Sequence, residues 1–315
     1  MKQDITISVI IPHYNIPEML VRALRTIPQR EDVQVIVVDD GSDDNIGEVV
    51  DRFKNEDCTS KKFRENVEFY PQPHSGFAGR MRNIGLEHAK GEWVTFLDAD
   101  DFFSENADRI FTEVQQYSED IVFYRSIAVM NDDLTKPSGR NGFDVFFSIE
   151  DKAEQERYFR YVYTFPIGKF VRRELIERNH CQFEEVPHWN DVYFCTCIGI
   201  YAKDIRVCQD VLYVITERNE SLTGNAAETK SERLKKNYVR YGVTLRAFRL
   251  LRKHKIYMPV DAYHLTRAVG LFRSKDKKDY FLLLSKMLFI YPPCTFYFIR
   301  KDIRTFWRKV FKIGD

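Results

Sequence analysis

Unbroken apolar runs alternate with amphipathic ones along the first hundred residues. ITISVIIP (5–12) and VQVIVVDD (33–40) are rich in β-branched residues and lack polar alternation. A strand covered on both faces has that composition. NVEFYP (66–71) and EWVTFLD (92–98) read as a shorter third strand and a fourth. Between the strands the period changes. In PEMLVRALRTI (17–27), Leu20, Leu24 and Ile27 share one helical face, and Pro17 suits a first turn. Ile46, Val49, Val50 and Phe53 recur at helical spacing within 45–53, and 79–89 reads as a further helix. Strands and helices alternating in this way predict an α/β fold, Rossmann-like, with a mostly parallel central sheet flanked by helices. Past Ser104 the pattern predicts a helix (104–117), a strand (119–130), a loop or hairpin (131–142) and a helix near 150–161. From about 229 the chain is basic, aromatic and helical in pattern to its end.

Such sheets hold ligands beyond the carboxyl ends of their strands. Two of these ends are acidic: Asp39-Asp40, and Asp98, Asp100 and Asp101 in VTFLDADDFF. In an extended segment, residues i and i+2 project to one side, so Asp98 and Asp100 are expected to converge. A hard divalent cation, Mn2+ or Mg2+, relieves their repulsion, binding through oxygen and keeping places for substrate phosphates. A turn that helps to cap the next helix is the alternative reading of the same four residues. A D-x-D after an apolar strand also occurs in haloacid-dehalogenase-type phosphatases, with the first Asp as nucleophile. That pattern wants Thr or Val two residues after the second Asp, where this chain has Phe102.

Composition narrows the field. Among 315 residues the net charge is +1, without the basic excess of a nucleic-acid binder. Six cysteines form no pair of C-x-x-C motifs, so they read as reduced cytosolic thiols rather than a zinc site. No signal-peptide pattern opens the chain, and no window of about twenty residues is apolar and free of charge. The expectation is a cytoplasmic protein.

SVIIPHYN, VIVVDDGSDD and SGFAGRMRNIGLEHAKGEWVTFLDADD, in that order, resemble the donor half of family 2 glycosyltransferases. The resemblance is close over 6–103 and looser to about 224. It implies the GT-A fold and inverting transfer of a sugar from a nucleotide diphosphate sugar, UDP being the expected nucleotide. It further implies that Pro12, Tyr14 and Asn15 lie against the base and that Asp39 and Asp40 hold uracil and ribose. Gly76, Arg82 and Asn83 match the segment near the donor, Asp98 a residue near the ribose or sugar, and Asp100 the principal metal ligand. His74 stands where the family often has Asn. On the acceptor side, Asp191 in VPHWNDVYFCTC matches the general base that takes the acceptor hydroxyl proton. Asn190 replaces the usual Glu, and Asp191 as a mere helix cap stays open. Glu184 and Glu185 are reserve bases, while His188 and Trp189 are candidates to line the acceptor sugar. Arg218, assisted by Ser221 and Thr223, is the cation for the diphosphate, with a plain surface loop as the alternative.

The implied organisation is a GT-A domain over 1–225, with a donor half (1–103) and an acceptor half (104–225), then a helical extension (226–315). RKDIRTFWRKVFK (300–312) sets Ile303, Phe306, Trp307, Val310 and Phe311 on one helical face among six basic residues. That is the pattern of an interfacial helix, so 280–312 is a candidate peripheral contact with an anionic membrane at the inner face of the cytoplasmic membrane. Docking on its own domain or on a partner chain is the alternative. The acceptor expected from the resemblance is a glycan or lipid-linked glycan. A non-catalytic carbohydrate-binding or scaffold protein on the same fold is the reading from another class.

Overall fold

The computed structural model describes residues 5–139, 144–217 and 230–256. In chain order the elements are β1 (Ile7–His13), α1 (Pro17–Arg25), β2 (Val33–Asp39), α2 (Ile46–Glu56), α3 (Lys61–Glu65), β3 (Val67–Pro71), α4 (Ala78–His88), β4 (Trp93–Phe96) and β5 (Phe102–Phe103). Then follow α5 (Ala107–Val114), β6 (Ile121–Met130), α6 (Asp144–Phe147), α7 (Lys152–Tyr161), β7 (Lys169–Arg172), α8 (Arg173–Arg178), α9 (Asp191–Tyr201), β8 (Ile205–Glu217) and α10 (Lys230–Lys253). The chain divides into two compact units, Met1–Glu228 and Thr229–Asp315.

In the first unit eight strands form one sheet in the order β3-β2-β1-β4-β7-β6-β8-β5. β1 pairs in parallel with β2 and β4, β2 with β3, and β6 with β8. β7 enters antiparallel between β4 and β6, and β5 pairs antiparallel with the edge of β8. The β1–β4 side is therefore parallel, as its unbroken apolar runs predict, and the whole sheet is mixed. Because β7 reverses direction between two neighbours, β6 and β8 run the same way as β1, β2 and β4. The carboxyl ends of both halves therefore lie along one edge.

Burial explains why these runs became strands. Every residue of β1 and β2 is buried, including Ser8 and Gln34, which hydrogen-bond each other at 2.7 Å. Leu20, Ala23 and Leu24 of α1 and Val50 and Phe53 of α2 close one face. Each large apolar side chain fully buried there contributes about 1.5–3 kcal/mol. Pro12 lies near the end of β1, past the last β4 partner (Ile10 opposite Phe96), where its missing N–H breaks no β4 ladder bond.

The acidic strand end departs from the sequence pattern, whereas the polar stretch after Met130 follows it. The stretch after Leu97 is not extended: the Asp101 N–H donates to the Asp98 carbonyl at 2.9 Å and closes a turn over Asp98–Asp101. The i, i+2 argument for converging carboxylates therefore does not describe this segment. Asp101 does not cap the next helix, whose N-cap position is Asn106. The polar stretch after Met130 turns back on itself, with Val129 bridging Pro137.

Candidate active site

The first part of the site is the edge where β1 and β2 end. Asn15 takes φ +51° just past β1, and its amide and the Asp43 backbone and carboxylate bond each other at 2.8 Å. His13 Nδ1–H donates to Asp39 Oδ1 at 2.7 Å, while the Ile16 N–H donates to His13 Nε2 at 3.2 Å. Ser42 adds its hydroxyl (2.6 Å) and N–H (2.9 Å) to Asp39. Burial pushes the Asp39 carboxyl up, but the bonds from His13 and Ser42 outweigh it and hold it below its ordinary value. Asp40 accepts the N–H groups of Ser75 and Gly76 and the Ser75 hydroxyl, each at 2.8 Å. Gly76 has φ +74°, the left-handed region that glycine occupies without strain. Above this edge the exposed Tyr14 ring stacks on His74 at 4.4 Å. Both carboxylates thus anchor the loops that surround the proposed base site, and Tyr14 and His74 present aromatic faces there.

The second part is the acidic turn. Asp98 and Asp100 are half-buried, whereas Asp101 is buried. Tyr213 OH donates to Asp101 Oδ2 at 2.8 Å, and the Thr216 N–H donates to Asp101 Oδ1 at 2.7 Å. Burial pushes the Asp101 carboxyl well up, and the charges of Asp100 and Asp98 add to the push. So the third carboxylate of the motif fastens the turn to β8.

The third part joins the two halves. Arg82, buried on α4, donates to Asp98 Oδ1 at 2.5 Å and to Asn190 Oδ1 at 2.9 Å. Burial opposes its charge, but the Asp98 and Asp191 carboxylates outweigh that and raise its pKa. Asn83 does different work: its amide donates to the Phe183 carbonyl (3.0 Å) and accepts the Phe183 N–H (2.8 Å). It holds down the strip that leads to Asn190. Gly79, on the same helix, lies so close to this strip that a Cβ would press onto the Glu184 carbonyl and come within 2.9 Å of Asn190 Cβ.

Asp191 is the first residue of α9, and Asn190 holds the N-cap position without a side-chain cap bond. Burial pushes the Asp191 carboxyl up to about 6, against the pull of Arg82. A carboxylate poised near neutrality suits proton abstraction. His188 and Trp189 meet edge to face at 5.6 Å beside it, with Trp189 at φ +58°.

Lys169 was not singled out by sequence, although it opens the KFVR strand. It is fully buried on β7, with Nζ 4.8 Å and 4.9 Å from the Phe123 and Tyr163 ring centres and 3.8 Å from Cys195 Sγ. Burial lowers its pKa, and Cys195 and Asp191 pull it back. Cys195 lies one turn after Asp191, so the ammonium sits beneath the first turn of α9. A lysine before the apolar pair Phe170-Val171 was the only signal, and it also fits an edge strand.

Asp98 and Asp100 make an oxygen-only set that suits Mn2+ or Mg2+. Among the described residues no group of three or more His, Cys, Asp or Glu can hold an ion alone. An ion held by these two carboxylates would need water and a substrate diphosphate to complete its shell. Arg218, Ser221, Thr223 and the stretch 280–312 lie outside the described residues. Among the described residues no helix is long and apolar enough to cross a membrane.

Comparison with known proteins identifies the family. Residues 8–179 match the family described as Glycosyl transferase family 2. Glycosyltransferase GlyG of Streptococcus pneumoniae is 28% identical over 228 residues, covering 69% of this chain and 72% of that protein. The poly(ribitol-phosphate) beta-N-acetylglucosaminyltransferase TarS of Staphylococcus aureus is 27% identical over 222 residues, 68% of this chain but only 36% of its own length. The crystal structure of TarS 1–349 with UDP-GlcNAc superposes with a TM-score of 0.64 at 21% identity, covering 88% of this chain and 75% of that one. The mannosyltransferase PcManGT of Pyrobaculum calidifontis, in complex with GDP-Man and Mn2+, gives 0.53 at 17% identity, covering 96% and 87%. These structural likenesses establish the fold, which is GT-A. The chain belongs to glycosyl transferase family 2 and is a glycosyltransferase.

Proposed function

We propose that this chain moves one sugar, with inversion, from a UDP-sugar to a hydroxyl of a glycan or lipid-linked glycan acceptor in polysaccharide biosynthesis. The observation that carries the reading is the Arg82 bridge, which ties Asp98 at the donor edge to Asn190, the residue before Asp191. This contact supports a donor clamp and a base that share one cleft. The structures of TarS with UDP-GlcNAc and with UDP support a uridine nucleotide.

In this reading Tyr14 and His74 flank the base, and Asp39 and Asp40 shape the loops around it. Asp100, with Asp98, holds Mn2+ or Mg2+, which neutralises charge on the departing diphosphate. Asp191 takes the proton of the acceptor hydroxyl as the new bond forms at the face opposite the leaving group. Arg82 keeps Asp98 in place and its charge faces Asp191. Arg218 is the cation for the diphosphate oxygens.

Thermal unfolding with a panel of nucleotides and nucleotide sugars, with and without Mn2+, tests the donor half. A ligand that binds only the folded state raises the midpoint. The expected result is a metal-dependent rise with one nucleotide in the wild type, lost in Asp100→Ala. No rise with any nucleotide refutes the donor site.

A further inference from the structure

The acidic turn is held from outside by two residues that the proposed chemistry does not use. Thr216 Oγ1, near the end of β8, donates to the Asp100 carbonyl at 2.5 Å. Arg22 Nη2, on α1, donates to the same carbonyl oxygen. Arg22 is itself fixed: Nη1 donates to Asn131 Oδ1 at 2.9 Å, Nη2 lies 3.4 Å from Thr216 Oγ1, and its guanidinium rides 5.3 Å over the Phe102 ring. The neighbouring residues are held by the same strand. Tyr213 OH accepts the Asp98 N–H at 3.0 Å, and the Thr216 N–H binds Asp101.

Three carboxylates within four residues repel one another, and an unsupported turn would open to separate them. Here its backbone is fastened at the Asp98 nitrogen, at the Asp100 carbonyl and at the Asp101 side chain. Once the peptide after Asp100 is fixed, its Cα–Cβ bond has one direction, and only the side-chain torsions remain free. We infer that Arg22 and Thr216 are positioning residues that set the direction of Asp100 for a divalent cation. This rests on the metal role given to Asp100 under the proposed function. It adds the parts from distant elements, α1 and β8, without which the ligand would be present but loose.

The test is Mn2+ binding in the presence of UDP, read from the electron paramagnetic resonance signal of free Mn2+, for wild type, Thr216→Val, Thr216→Ser and Arg22→Met. Valine keeps the volume and the N–H that binds Asp101, and Arg22 still satisfies the Asp100 carbonyl, so Thr216→Val is expected to fold. Losing one such hydrogen bond is expected to weaken Mn2+ by about three- to tenfold in Thr216→Val. Arg22→Met, which keeps an apolar stem over Phe102, is expected to do the same. Thr216→Ser restores the hydroxyl and the affinity. The near-ultraviolet circular dichroism stays unchanged in all of them, which a general loosening of the fold would not allow. Wild-type affinity in Thr216→Val overturns the inference alone. A wild type that takes up no Mn2+ overturns it together with the metal reading.

Discussion

As the proposed base, Asp191 is also a liability. Its folded pKa of about 6 lies above the ordinary value, so the folded state keeps its proton where the unfolded state has lost it. Stability therefore falls as pH rises from about 4 to about 6, and the penalty stays constant above that, up to about 3 kcal/mol. Asp191→Asn is expected to unfold at a higher temperature than wild type at pH 7 and at nearly the same temperature at pH 4. The same substitution is expected to abolish transfer, and the wild-type rate to fall as pH drops through about 6; calorimetry and a pH–rate series check the pair. A less stable Asp191→Asn at pH 7 would contradict this account. Asp39, Asp40, Asp98 and Asp100 stood out in the sequence because their charge sits where strand ends are normally neutral. Lys169, Tyr213, Thr216 and Arg22 were not legible, because each acquires its role from a partner brought near only by the sheet. Thr216 and Asp100 are 116 positions apart.

At the scale of elements, α9 is located from both ends. Arg160 donates to the carbonyls of Gly199 (3.2 Å), Ala202 (2.7 Å) and Lys203 (2.8 Å), satisfying groups that a helix end leaves unpaired. At the other end Asn83 and Gly79 of α4 let the strip 183–190 lie close. Gly79→Ala puts a methyl against backbone that cannot yield as a flexible side chain would. It is expected to cost about 1–3 kcal/mol and to lower the transfer rate while the nucleotide-induced rise in midpoint persists. An unchanged transfer rate would separate this contact from catalysis. The donor-half strands and helices could be read from periodicity because their runs were long and buried. β5 has two residues and β7 four, too short for any period to show, and both exist only through pairing with distant strands.

For the whole molecule the reversed strand β7 decides the most. It sets β6 and β8 parallel to the donor strands, so the acidic turn and the end of β8 meet at one edge. That meeting could not be inferred from the chain, since a run of apolar residues does not state its direction. The membrane expectation also belongs to this scale. The full chain is expected to sediment with vesicles containing phosphatidylserine and to stay free of phosphatidylcholine vesicles, with release by salt; equal behaviour with both would discard it. The loops at the carboxyl ends of β1 and β2 have a consequence of their own. Asp39 and Asp40 already bind three backbone N–H groups, two hydroxyls and an imidazole. An arriving nucleotide therefore meets segments that have already given up their conformational freedom. Its binding should release heat with little loss of entropy, as when a key enters a lock that is already cut.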